Sequence, residues 1–207
     1  MLDFNGKRIL IVGAHPDDFD FGMGGTINQI REETVKLVMF SDSLNYPGNN
    51  GIVEEFCKAM QVYDIPWEML NYTNMNFPAE GSRIRQELTN YRASFRPDIV
   101  FSTSPKSVNP DHAELGKSVK AVFQECDILF YEVLRGDYEH LPEFYNEISA
   151  EDLMTKLRAI NCYTSQQKRV YAGPDRVTSF AQMRGAQANV NYAESFEIYR
   201  MIRKIKK

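Results

Sequence analysis

The chain has 207 residues, 43% of them hydrophobic and 25% charged, which suffices for one substantial core but is short for two full domains, so residues 1–207 read as a single domain. A formal net charge of −4 argues against a nucleic-acid partner, and no apolar run reaches the length of a membrane span. The polar lead before Arg8 lacks the apolar core of a secretion leader, which makes the cytoplasm the expected compartment, and Cys57, Cys126 and Cys162, odd in number and widely spaced, read as reduced, mostly buried thiols.

In chain order, Ile9 to Val12, closed by Gly13, reads as a buried strand. His15, Asp17 and Asp18 follow at once, and Pro16 between them restricts His15 to an extended conformation, so the segment should be a stiff turn. Gly22, Gly24 and Gly25 let backbone come close to whatever is bound, and Thr26, Ile27 and Ile30 begin a helical pattern over about residues 24–33. Residues 35–42 read as a second strand, 43–51 as a loop above the sheet, and 52–63 as a helix with Ile52, Phe56, Met60 and Tyr63 on one face. A third strand over 67–72, a helix over 82–95 and a fourth strand over 98–103 complete the pattern. Repeated strand–helix–strand units imply right-handed crossovers and a mostly parallel sheet: an α/β, Rossmann-like three-layer sandwich.

The first turn has the makings of a hydrolytic metal site. An imidazole and a carboxylate three residues apart, His15 and Asp18, can reach one divalent ion, while Asp17 between them faces the open coordination position as a base. The competing reading has both aspartates capping the next helix and His15 as a surface histidine. The fourth strand leads into residues 104–116, which carry Asn109, Asp111 and His112. In the common doubly wound order the first and fourth strands are neighbours at the switch point, so their outgoing loops bring His112 to His15 and Asp18 as a third ligand. Zinc is the expected ion, and iron, manganese or cobalt suit the same donors. Asp111 either caps the helix beginning at His112 or orients a ring nitrogen, with capping favoured.

Further on, Leu115, Val119, Val122 and Phe123 mark a buried helix face, and 128–133 a fifth strand. Residues 136–148, aromatic, acidic and interrupted by Pro142, read as a long surface connection placed to act as a lid, and Ser149 with Asp152 as a helix start. His140 receives no role. The basic end from Arg200 to Lys207 reads as a solvated helix terminus. Loops 42–51, 73–81, 104–111 and 135–148 should rim the crevice.

The AHPDD turn followed by GMGGT resembles the signature of the PIG-L or LmbE-like family, and the likeness extends through FRPDIVFSTSP, NPDHAELG, KLRAINCYTSQ and RGAQANVNYAESFE. The resemblance implies the same Rossmann-like fold and a metal-dependent N-deacetylase that releases acetate from an N-acetylglucosamine-type amino sugar or conjugate; it also allows homo-oligomers. It sets Ser165 and Gln166 on the family's Ser-Gln pair, for which structural support is the favoured role. Asp111, Tyr192 and Glu194 become candidate substrate contacts, although Tyr192, Phe196 and Tyr199 also fit a core stripe. Asn109 departs from the pattern, because the family often has histidine there. Its amide can donate a hydrogen bond to an oxyanion but supplies no proton at neutral pH, leaving Asp17 to act as base and then acid.

Three rival readings bound this one. A metal-binding, sugar-recognising protein without turnover would keep the same residues. A phospho-acceptor receiver, suggested by the paired acids and Lys106, needs a third aspartate at the end of the third strand, where Asn71, Tyr72 and Asn74 stand instead. A dinucleotide-binding fold needs G-x-G-x-x-G directly after the strand, which GMGGT does not supply.

Overall fold

Alternating side chains on the first strand fix the layers of the molecule. In the computed structural model, which describes residues 3–203, Ile9 and Ile11 of β1 (Arg8–Gly13) face one side of the sheet and Leu10 and Val12 the other, all four fully buried. A strand apolar on both faces needs cover on both sides. The remaining strands are β2 (Thr34–Met39), β3 (Trp67–Met69), β4 (Ile99–Ser102), β5 (Asp127–Tyr131), β6 (Phe144–Glu147) and β7 (Ala193–Arg200), and the sheet order is β3-β2-β1-β4-β5-β7-β6. The first five run parallel, with Ile11 in register with Leu37 of β2 and Phe101 of β4, whereas β7 runs antiparallel to both β5 and β6.

The helices are α1 (Asp18–Ile30), α2 (Ile52–Tyr63), α3 (Phe77–Phe95), α4 (Pro110–Val122), α5 (Ala150–Asn161) and α6 (Pro174–Ala188). One face of the sheet carries α1, α2 and α5, whose Met23, Phe56 and Ala159 pack on Ile9 and Ile11. The other carries α3 and α4, whose Leu88 and Val119 pack on Leu10 and Val12. The Rossmann-like three-layer expectation therefore holds. Among the described residues, no helix is long and apolar enough to cross a membrane. Cys126 is buried, while Cys57 and Cys162 are only half-buried.

Four expectations need correcting. Helix α1 begins at Asp18, not near residue 24, but its backbone breaks at Met23 (φ −148°), so the expected start coincides with its second half. Helix α3 begins five residues early, at Phe77, because Pro78 suits a first turn and Phe77 is a fully buried anchor. The surface connection over 136–148 contains β6, and the closing motif forms β7. Glu194, Ser195 and Glu197 hide that strand in the sequence: they look solvent-facing yet are buried, each with polar partners. Finally, Arg200 ends a strand, its Nη1 donating to the Phe123 carbonyl at 3.2 Å, where a helix terminus is expected from the sequence; residues 204–207 of that expected terminus lie outside the described residues.

Helix α4 sits unusually close to the loop that precedes it. A Cβ at Gly116 would stand 2.6 Å from both the Thr103 carbonyl oxygen and the Pro105 nitrogen, neither of which can swing away. Gly116→Ala is expected to destabilise the fold by about 1–3 kcal/mol through forced displacement of α4. A thermal melt reads the loss, and an unchanged melting temperature would show that α4 shifts freely.

Candidate metal centre

Strands β1 and β4 end side by side, and the loops leaving them meet over their carboxyl ends, where the strand order reverses. From β1 comes the His-Pro-Asp-Asp turn, locked by the His15 amide donating to Asp18 Oδ2 at 2.8 Å. From β4 comes the start of α4, where Asn109 is the N-cap: its Oδ1 accepts from the amides of Asp111 at 2.9 Å and His112 at 3.4 Å. The cap thus belongs to Asn109, not to Asp111, and it fixes the turn of helix from which His112 projects.

The three expected ligands converge. His15 Nδ1 lies 3.1 Å from His112 Nε2 and 3.6 Å from Asp18 Oδ2, and His112 Nε2 lies 3.2 Å from Asp18 Oδ1. Donors about 2.0–2.1 Å from a tetrahedral zinc are about 3.3 Å apart, so this spacing fits one small divalent ion. The charges fit as well. Burial alone would lower the His15 pKa, yet hydrogen bonds from its ring to Asp111 and Asp18 raise it to about 9. Burial would likewise raise Asp18, but His112 and His15 hold it well below the usual carboxylate range. A pocket that stabilises positive charge so strongly suits a cation.

Asp111 is the support behind this cluster. It is fully buried, its Oδ2 pairing with His15 Nε2 at 2.9 Å and taking the Met75 amide, while Oδ1 takes the Phe77 amide at 3.0 Å. With both oxygens occupied it fixes the His15 ring and presents nothing to a substrate, contrary to the contact expected of it.

Asp17 stands beside the cluster, partly open to the cavity, in a left-handed backbone conformation (φ 90°) that non-glycine residues seldom adopt. Burial, and then repulsion from Asp18, push its carboxyl well above the ordinary range, with Arg169 pulling the other way. A strained, poorly solvated carboxylate next to a cation site is placed to exchange protons there.

Glu194 and Tyr192 lie elsewhere. The Glu194 carboxylate accepts the amides of Gly25 at 3.0 Å and Thr26 at 2.7 Å, and pairs with Lys156 Nζ at 2.7 Å, all buried. What the glycine turn of α1 closes on is therefore a carboxylate of the protein itself, held at the start of the second half of α1. Tyr192 packs against Ile148, Leu153 and Ala181. Neither borders the cavity, so the structure gives both a packing role in place of the sugar contact. Glu194→Gln should cost roughly 3–5 kcal/mol, since it leaves Lys156 buried and unpaired. Denaturant unfolding would read that loss, and KM for substrate should not move in the protein that remains folded; a raised KM at unchanged stability would restore the contact role.

The Ser-Gln pair is structural on one side: Ser165 Oγ donates to Glu55 at 2.6 Å, whereas the buried Gln166 borders the cavity. His140 Nε2 lies 3.0 Å from Ser195 Oγ, remote from the ligand set. Lys106 pairs with Glu197 at 2.8 Å, which removes the lysine that a receiver site would need.

The cavity over the cluster measures about 450 Å³. The four expected loops all contribute to its rim, through residues such as Tyr46, Met75, Val108 and Tyr138. Sequence reading set Arg135 on the rim with the 135–148 loop but missed the rest of its wall, made by Arg169 and Tyr171. The only signal for it was the basic, aromatic run KRVY after the Ser-Gln pair.

Three likenesses bear on this arrangement. A curated diacetylchitobiose deacetylase from Thermococcus kodakarensis is 24% identical over 190 residues, covering 77% of this chain and 70% of that protein. The solved N,N'-diacetylchitobiose deacetylase from Pyrococcus horikoshii superposes with a TM-score of 0.77 at 22% identity, over 94% of this chain and 84% of that one. GalB, the 4-carboxy-2-hydroxymuconate hydratase from Pseudomonas putida KT2440, superposes with a TM-score of 0.78 at 20% identity, over 97% and 100%. At such identities the superpositions establish the fold, and a hydratase among them shows that this fold serves more than one reaction. The model of the family described as PIG-L, GlcNAc-PI de-N-acetylase, matches residues 10–123, more than half of the chain, and spans both the acid turn and the start of α4. The chain belongs to the PIG-L family of de-N-acetylases.

Proposed function

We propose that this protein is a metal-dependent N-deacetylase that removes the acetyl group from an acetamido sugar or sugar conjugate. The reading rests on one observation above all: His15, Asp18 and His112 converge with tetrahedral spacing beside Asp17, at the floor of a cavity large enough for a sugar. His15, Asp18 and His112 would hold the ion, zinc being the first choice for two imidazoles and a carboxylate. Its chemistry there would be Lewis acidity, polarising the acyl oxygen and lowering the pKa of water toward about 7.

The protein's own groups do the rest. Asp17 takes the proton from the attacking water as the oxygen bonds to the acyl carbon, and then returns it to the amine nitrogen as the C–N bond breaks. Asn109 borders the cavity with its Oδ1 committed to the α4 cap, so its remaining polar atom, Nδ2, is a donor and can steady the charge on the acyl oxygen. Asp111 pairs with His15 Nε2, so Nδ1 is the ring atom that would give up its proton and meet the ion. Acetate and a free amine leave.

Acetate release, followed over a broad set of N-acetylated sugars and conjugates with metal-stripped and zinc-restored protein, tests this reading. Turnover that returns with zinc is the expected result. Metal-loaded protein that binds acetylated sugars yet releases no acetate from any of them would leave a recognition protein.

A further inference from the structure

One wall of the cavity carries two arginines, of which only Arg169 bears on the deacetylation groups, drawing the Asp17 carboxyl down against its burial. Arg135 and Arg169 both border the cavity, Arg169 half-buried and Arg135 at the mouth, and both reach Tyr171 between them. Arg169 Nη1 lies 2.7 Å from the Tyr171 hydroxyl, and each guanidinium carbon is 6.0 Å from the centre of its ring. Among the described residues, no carboxylate stands within ion-pair distance of either arginine.

The buried cations of this chain are treated differently: Arg184 is matched by Glu132 and Lys156 by Glu194. Around the cavity wall the only partner that Arg135 and Arg169 share among the described residues is a phenol, Tyr171. Burial and the nearby Asp17 charge hold the Tyr171 hydroxyl above its ordinary pKa, so it stays neutral. It fixes the two guanidinium heads but does not neutralise them. Each guanidinium has five N–H donors in a planar fork, and most of these remain free to meet a ligand. In a chain of net charge −4, two unmatched arginines turned on one cavity are a specific feature.

We propose that Arg135, Arg169 and Tyr171 form an anion subsite, and that the substrate is an acetamido sugar bearing a phosphate or carboxylate substituent that docks there. The substrate half of this statement rests on the deacetylase reading; the anion-binding half does not.

Calorimetry on the zinc-loaded protein with N-acetylglucosamine 1-phosphate, N-acetylmuramic acid and neutral N-acetylglucosamine, together with acetate release from each, tests both halves. At least one charged sugar should bind about 10- to 100-fold more tightly than the neutral one, as charge-assisted hydrogen bonds require, and the advantage should shrink with added salt. Whichever of phosphate and carboxylate gives the gain names the substituent. Arg135→Gln and Arg169→Gln should each remove most of the gain in affinity while leaving binding of the neutral sugar within about twofold, and Arg169→Lys, which keeps a positive charge near Asp17, should restore part of it. Phosphate bound by the metal alone would be indifferent to these substitutions, and that result overturns the subsite. So does equal affinity for charged and neutral sugars in the unaltered protein, a measurement that needs no variant to fold. Anion binding without acetate release from any sugar would sink the deacetylase reading and leave the subsite standing. Acetate released equally well from neutral sugar, with no preference for charge, would do the reverse.

Discussion

Asp17→Asn is expected to lower kcat for acetate release by roughly 10²- to 10⁴-fold, the usual worth of a positioned general acid–base group, while bound metal and melting temperature stay close to those of the unaltered protein. Asparagine is the right replacement because residue 17 holds a positive φ of 90°, which asparagine tolerates better than alanine does. It also keeps the size of the side chain and removes only its ability to exchange a proton. A loss of metal in step with activity would show that Asp17 serves the ion and not the proton. Turnover within about threefold of the original would move the base elsewhere, because Asn109 cannot take its place.

Asp18→Ala and His112→Ala are expected to abolish both metal binding and turnover, weakening the metal by more than the roughly 10- to 100-fold that loss of a supporting neighbour costs. The two should differ in stability. Asp18 also accepts the His15 amide, so its removal frees the turn after β1, whereas His112 meets the cluster through its ring alone, Nε2 lying 3.2 Å from Asp18 Oδ1, and its loss leaves that turn closed. Metal content by mass spectrometry of the native protein, alongside a thermal melt, separates the two effects. Metal retained at full occupancy in either variant would remove that residue from the ligand set.

Much of this molecule could be read from local pattern. Ile9 to Val12 is a buried strand because four apolar residues in a row must be covered on both faces, and Ile52–Tyr63 is a helix because its apolar residues recur at three and four. Ser149 and Asp152 announced the start of α5, where they form a reciprocal capping box. The meeting of His112 with His15 and Asp18 was legible too, because right-handed crossovers and the doubly wound order leave few places for the end of a fourth strand.

Hydrogen-bond partners were decided by the tertiary structure. Whether Asn109 or Asp111 caps α4 depends on what else competes for each carbonyl or carboxylate. Asp111 is claimed by His15, Met75 and Phe77, from a turn and a helix start far away in sequence. Glu194 looked like a sugar contact until the amides of Gly25 and Thr26 and the ammonium of Lys156 closed around it. The same holds for β7, whose acidic residues conceal a buried strand, and for the arginine wall, which exists only because the 133–138 and 166–171 loops fold to the same side. Hydrophobic periodicity is a local property, so the sequence by itself determined the layers and the acid turn; the pairing of buried polar groups is non-local, so only the fold could say which side chains support the site and which remain free to meet a ligand.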